Sequence, residues 1–202
     1  PVRAIGTLNA VTQEGLTACE RVLSLLDTPR KIIDQPGAAA LIVKGGQIEY
    51  KNIDFAYHND GIATLDGINF TVKSGKTVAI VGPSGAGKTT VINLLPRFFD
   101  ASSGKILIDG QSIDTVRVES LRSVISLVSQ EPVLFDDTIA ANIGFGRDGA
   151  SRKEIEAAAR DAAADEFIQA LPGGYDANVG TMGNRLSVGQ RQRVAIARAM
   201  LK

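Results

Sequence analysis

The 202 residues include no tryptophan and only one cysteine. The lone thiol, Cys19, excludes an internal disulfide framework and any cysteine-based metal cluster. Aromatic side chains make up 5% of the chain, which argues against a surface that stacks nucleic-acid bases. Neither sign of charge is in excess: 22 Lys and Arg balance 22 Asp and Glu, so no bulk field points to nucleic acid or an acidic partner. No uninterrupted apolar run approaches a bilayer span, and no charged-then-apolar leader is present. The first residue is Pro1 and not Met, which predicts a piece of a longer polypeptide. Composition alone reads as a soluble protein of a reducing compartment.

What is present is ordinary globular material, 44% hydrophobic, long enough for one good core and a smaller subdomain. Residues 1–26 place Val11, Ala18, Cys19, Val22 and Leu26 at helical spacing, and Asp27-Thr28-Pro29 is a stop. The stretch 34–46, with Pro36, Gly37, Gly45 and Gly46, reads as a linker. "QIEYKNIDFAY" alternates as one or two strands, "HNDG" turns the chain, and "INFTV" alternates again. The continuous apolar run "TVAIV" (77–81) is expected to be a strand covered on both faces. A helix is expected from Gly87, ended or kinked by Pro96, and "GKILIDG" and "SVISLVS" are expected to be short strands. Residues 151–171 are expected to form one helix with Ser151 and Glu154 as a capping box. A last helix is expected from about Ser187, which would cap it. Strands separated by helices predict an α/β sheet with a helical insert.

One stretch carries chemistry by itself. "GPSGAGKT", Gly82 to Thr89, fits G-x-x-x-x-G-K-[ST], between an apolar run and a predicted helix. Gly82, Gly85 and Gly87 let backbone N–H groups turn inward around phosphate oxygens, with Pro83, Ser84 and Ala86 between them. The following helix adds positive potential at its N-terminus. Lys88 would reach the β- and γ-phosphates, and the Thr89 hydroxyl would ligand Mg²⁺, with Thr90 next in line. The expected ligand is a nucleoside triphosphate. Kinases, GTPases, motors and transport ATPases share this loop, so it does not name the reaction.

"LSVGQRQRVAIARAMLK", at the end of the chain, resembles the signature segment of ATP-binding cassette (ABC) proteins, Leu-Ser-Gly-Gly-Gln followed by a basic helix. Tyr57 in "FAYHND" matches that family's adenine-stacking aromatic, and "LVSQEPVLFDDTIAANI" matches its glutamine loop, with Gln130 at the key position. "YDANVGTMGNRLS" resembles the segment before the signature in exporters. "TACERVLSLLDTP", "GKILIDGQSI" and "LPRFFD" are similar to the exporter branch of lipid A-core flippases and multidrug transporters. The resemblance covers nearly the whole chain.

It implies a phosphate-loop ATPase domain of the ABC type, with an antiparallel β subdomain and a helical subdomain, cut off before the Walker B strand. Residues 1–33 would be the cytoplasmic end of the last transmembrane helix, 34–46 a linker, and 47–202 a partial ATP-binding domain with its helical subdomain at about 131–186. ATP and Mg²⁺ would be held by Tyr57, residues 82–90 and Gln130, with Thr89 and Gln130 nearest the metal. Leu186, Ser187, Val188, Gly189 and Gln190 would meet the γ-phosphate of ATP held by a second, identical domain. Val188 departs from the family, which has glycine there; a β-branched residue suits the start of a helix but not a position that needs φ > 0. The other implied partners are a transmembrane domain of the same polypeptide and a lipid or hydrophobic cargo, at the cytoplasmic side of a bacterial inner membrane. Nucleic acid is not among them: Arg185, Arg191, Arg193 and Arg198 read as a solvated or phosphate-proximal helix.

The family's catalytic glutamate and switch histidine are expected beyond Lys202. His58, the only histidine, precedes the phosphate loop and reads as turn surface. "KILIDG" has an apolar run ending in Asp109, but Gly110 follows where the family's catalytic strand has glutamate, so it reads as a decoy. The piece is expected to hydrolyse ATP poorly and to leave a sheet edge open. Two alternatives stay open: a nucleotide-binding module that does not hydrolyse, and a soluble ABC ATPase without a transport role.

Overall fold

The computed structural model describes residues 2–29, 31–57 and 63–202, with side chains from residue 11 onward. His58 and the turn it opens lie outside the described residues. Two compact units divide the chain, Pro1–Val118 and Glu119–Lys202.

In the first unit, helix α1 (Val2–Leu26) stops at Asp27, whose N–H still reaches the Leu23 carbonyl at 2.8 Å, two residues before Pro29. A four-stranded antiparallel sheet follows in the order β2-β1-β3-β4. Its strands are β1 (Ile48–Phe55), β2 (Leu65–Val72), β3 (Ser103–Ile108) and β4 (Gln111–Ser112). Along β1 the buried side chains are Tyr50, Ile53 and Phe55. The step of three between the first two is a bulge: Asn52 takes a left-handed φ of 49°, which its short amide side chain tolerates, and the register slips there. Tyr50 stacks on Phe70 of β2 with ring centroids 4.4 Å apart. Its hydroxyl donates to the Val91 carbonyl at 2.8 Å, tying the sheet to helix α2 (Lys88–Leu94), and burial pushes the phenol's pKa up. Helix α2 ends ahead of Pro96, as expected.

Residues 77–81 are not a strand. They form no ladder with the described strands, and Val81 stays 86% exposed. The apolar run names a segment that favours burial, but a strand exists only where a second backbone supplies its hydrogen bonds. The same correction applies to residues 123–129: Ser123 closes helix α3 (Val118–Ser123), Val124 and Ile125 make turn bonds back to Leu121 and Arg122, and the rest joins no described strand, with Val124, Leu127 and Val128 exposed.

The second unit is a helical cluster. Helices α4 (Ile139–Gly144), α5 (Arg152–Asp161), α6 (Asp165–Ala170) and α7 (Val188–Leu201) enclose Ile139, Ile143, Ala159, Ile168, Val179 and Val194. The Ser151–Glu154 capping box forms, with the Glu154 carboxylate accepting the Ser151 N–H at 2.8 Å. The single helix expected over 151–171 is broken in two, because Ala163 adopts φ 52° and its carbonyl accepts from Arg193 Nη1 at 3.1 Å. No glycine or proline marks the break; a side chain thirty residues later stabilises it.

The arginines of α7 are staples and not a solvated stripe. Arg191 Nη1 donates to the Leu186 carbonyl at 2.7 Å. Arg198 donates to the Asn142 carbonyl (2.8 Å), the Asn142 Oδ1 (2.9 Å) and the Val133 carbonyl (3.1 Å). Asn142, a buried polar residue, also donates to the carbonyls of Phe135 and Thr138 at 3.0 Å each, so its amide is fully used.

Candidate nucleotide-binding site

The loop at Gly82–Thr89 connects the exposed run 77–81 to α2. A turn closes it, with the Ala86 N–H donating to the Pro83 carbonyl at 3.3 Å. Lys88 folds back over the loop, and its Nζ donates to the carbonyls of Gly82 (3.0 Å) and Pro83 (2.7 Å). The ammonium therefore sits on the loop itself, held by two carbonyl dipoles.

Gly87 is the position where a side chain is least tolerable. It precedes α2 at φ 79°, and a Cβ there would stand 2.6 Å from Leu65 Cδ2 and 3.0 Å from the Thr64 carbonyl oxygen. Gly82, Pro83, Ser84, Gly85 and Ala86 are exposed, as is Thr89. These residues fit a polyphosphate with its divalent cation: an exposed glycine-rich backbone arc, one ammonium over it and one accessible hydroxyl beside it.

Thr90 differs from Thr89. It is only 4% exposed, and its hydroxyl lies 3.0 Å from the Tyr57 hydroxyl. Tyr57 meets Phe55 and Phe99 edge-on, at centroid distances of 4.8 and 5.1 Å, while 45% of the residue faces solvent. The first unit thus brings together the expected aromatic and the expected loop. Sequence reading did not find the hydroxyl pair or the supporting role of Phe99; the aromatic run in "LPRFFD" was the available signal.

In the second unit, Ser187 caps α7. Its hydroxyl accepts the Gln190 N–H at 3.3 Å, and the Gln190 side chain accepts the Ser187 N–H at 2.8 Å. Gln190 is therefore occupied by the cap. Val188 is the first helical residue, has no positive φ and is 64% exposed, so valine meets no backbone conflict here. Around Gly189 there is open space, and Leu186 is buried beneath. The N–H groups of Val188 and Gly189 belong to the first turn, where a helix offers no internal acceptors.

Gln130 is exposed and lines a cleft of about 410 Å³ together with Met182, Val188 and Arg191. The structure brings Gln130 and the start of α7 to one cleft of the second unit. Arg191, which lines it too, was not assigned a site role from the sequence. Tyr57 and residues 82–90 belong to the first unit and Gln130 and residues 186–190 to the second.

Residues 65–202 match the model of the family described as ABC transporter. The chain is 46% identical over its whole length to a protein named ATP-dependent lipid A-core flippase from Syntrophus aciditrophicus (strain SB), and covers 33% of it. It is 47% identical, again over its whole length, to an ATM1-type heavy metal exporter from Novosphingobium aromaticivorans, covering 33% of that protein. Among solved structures, a bacterial Atm1-family ABC exporter with ATP bound superposes with a TM-score of 0.88 over 94% of this chain, at 49% identity; the match covers 33% of that chain. The sequence thus spans about a third of the length of these relatives, and its fold is that of an ABC nucleotide-binding domain. The chain belongs to the ABC transporter family.

Proposed function

We propose that this chain is the ATP-binding and ATP-hydrolysing portion of an ABC exporter that moves a lipid or other hydrophobic cargo across a bacterial inner membrane, working from the cytoplasmic side. Residues 1–33 continue a membrane helix of the same polypeptide, 34–46 connect it, and 47–202 carry the ATP-binding domain with its helical subdomain at about 131–186. The domain works as a pair, most simply with a second copy of itself. The observation that carries this reading is the loop 82–89 beside Tyr57, with Lys88 bound across the loop carbonyls and the Thr89 hydroxyl accessible. Relatives of nearly equal identity are named for a lipid and for heavy metals, so a metal-bearing cargo is the second reading of what is moved.

When bound, Mg-ATP supplies the phosphoanhydride bond whose cleavage drives the cycle. The side chains of this chain bind and orient it. Backbone N–H groups of residues 84–88 would face the phosphates, and the Lys88 ammonium would offset their charge. The Thr89 hydroxyl and the Gln130 side-chain oxygen would be the groups that hold the divalent cation, whose charge would offset that of the phosphates. Tyr57 stacks on the purine, with its ring edges held by Phe55 and Phe99. Ser187, Val188 and Gly189 present the start of α7 to the nucleotide of the partner domain, so that closing the pair completes both sites. Of the residues in this sequence, Gln130 would be the one to position water.

The test is ATP hydrolysis by the full-length protein in lipid vesicles. Lys88→Ala is expected to reduce turnover at least about a hundredfold, the scale of removing one preorganised charge from a phosphoryl-transfer site. Turnover unaffected by that change would overturn the proposal.

A further inference from the structure

Asp109 was singled out in the sequence as an acid at the end of an apolar run, without a role in ATP hydrolysis. Its surroundings give it a different one. At the turn between β3 and β4 it takes φ 48°, which aims its carboxylate at the connecting segment ahead of β1. Oδ2 accepts the N–H groups of Lys44 (2.7 Å), Gly45 (2.9 Å) and Gly46 (2.9 Å), and Oδ1 accepts that of Gln47 (2.9 Å). The Asp109 N–H returns a bond to the Gln47 carbonyl at 2.8 Å. Four amides on one carboxylate, led by those of Gly46 and Gly45, hold its pKa well below the usual carboxylate range.

The neighbouring contacts repeat the pattern. Gln111 accepts the Ile42 N–H (3.1 Å) and donates to the Ile42 carbonyl (2.6 Å). Ser74 donates to the Gly45 carbonyl. Ala39 forms a parallel bridge with Val116 and accepts the Arg117 N–H at 2.8 Å, and Asp34 accepts the Val118 N–H at 2.8 Å. Residues 34–46, which by composition read as a linker, and Gln47 after them are bound to the domain at Asp34, Ala39, Ile42 and 44–47. The last of them, Gln47, abuts β1.

We propose that Asp109 is a clasp: its carboxylate fixes residues 44–47 against the β3–β4 turn, so that a displacement of the preceding helix is delivered to β1 instead of being absorbed by a flexible connection. This makes Asp109 a positioning residue for energy transfer and not a catalytic one. The transfer part rests on the exporter reading above; the clasp itself does not.

The test uses the full-length protein with Asp109→Gly and Asp109→Asn, both of which tolerate the left-handed turn. Hydrogen exchange at the amides of residues 44–47 is expected to accelerate about tenfold or more in the glycine variant, and less in the asparagine variant, which keeps one acceptor. Exchange along β1 should stay unchanged, which separates clasp loss from unfolding. In vesicles, the glycine variant is expected to hydrolyse ATP within about twofold of the unmodified protein while cargo moved per ATP falls by about half or more, with partial recovery in the asparagine variant. Amides 44–47 that exchange equally fast with and without the carboxylate would overturn the clasp. A loosened segment with an unchanged transport-to-hydrolysis ratio, or a parallel loss of both activities, would overturn the transfer role. An unmodified protein that hydrolyses no ATP would sink the exporter reading alone, since the exchange data still decide the clasp.

Discussion

The hydroxyls of Tyr57 and Thr90 lie 3.0 Å apart, linking the aromatic that follows β1 to the first turn of α2. Thr90, next to the phosphate loop in sequence, faces inward toward the ring. Tyr57→Ala is expected to weaken ATP binding about tenfold or more, as base stacking on an aromatic contributes roughly 1–3 kcal/mol. Thr90→Val should weaken it less, and its effect should largely vanish in a Tyr57→Ala background. Inorganic triphosphate, which has no base, should bind all three variants alike. Titration calorimetry with both ligands checks this, and additive losses would count against the coupling.

Gly87→Ala places a methyl group against Leu65 Cδ2 and the Thr64 carbonyl at a left-handed backbone position. A cost of about 1–3 kcal/mol in stability is expected from the conformational strain and the close contact together. The midpoint of a urea titration of the first unit's fluorescence reads it. In a Leu65→Ala background, itself destabilised by loss of a buried leucine, the added cost of Gly87→Ala should be smaller but not zero, since the Thr64 carbonyl remains.

Val188→Gly should be close to neutral. Valine is the first residue of α7, with helical backbone angles and 64% exposure, so glycine relieves nothing and costs at most about 1 kcal/mol in helix propensity. ATP-driven pairing of the full-length protein, followed by cross-linking, should change by less than about threefold. A tenfold gain would mean that the branched side chain obstructs the partner's phosphate.

Ser187→Ala removes the cap of α7, and about 1 kcal/mol of stability is expected to go with it. Because α7 packs in the core of the second unit, the loss should register as a lower denaturation midpoint for the whole helical cluster and not as local fraying.

Glu154 gives the acid side of the stability profile. The Ser151 N–H, the Ser151 hydroxyl and Arg147 hold its pKa below the usual carboxylate value. A folded pKa below the unfolded one, about 4.3, means that its contribution is complete above that value and is lost as pH falls through the lower folded pKa. Between pH 6 and 3 the helical unit of Glu154→Gln should therefore lose stability less steeply than the unmodified protein, as thermal melts across that range would show.

The features legible in the sequence were those set by a few adjacent residues. The capping box at Ser151, the cap at Ser187, the stop before Pro29 and the loop that opens α2 depend on neighbours within one or two turns, and they stand where expected. What escaped depends on distant partners. Residues 77–81 have the composition of a buried strand but no ladder, and the break at Ala163 is held by Arg193 against the helical preference of an alanine-rich stretch. Glycine at 45 and 46 pointed to a linker, although the same glycines let three consecutive amides converge on Asp109. In the candidate site, the residue pattern announced the loop and the family resemblance announced Tyr57, while the Thr90 contact joins positions 33 apart and has no local signal.

Strand β1 is hydrogen-bonded along both edges, to β2 and to β3, so it behaves as a tie rod that can tilt but hardly stretch. Its eight residues span roughly 26 Å at the usual rise per residue, shortened somewhat by the bulge. One end is pinned by the carboxylate of Asp109, and the other runs into the ring of Tyr57. Residue 47, where the clasp holds, and residue 57, the proposed purine contact, are thus the two ends of a single stiff member.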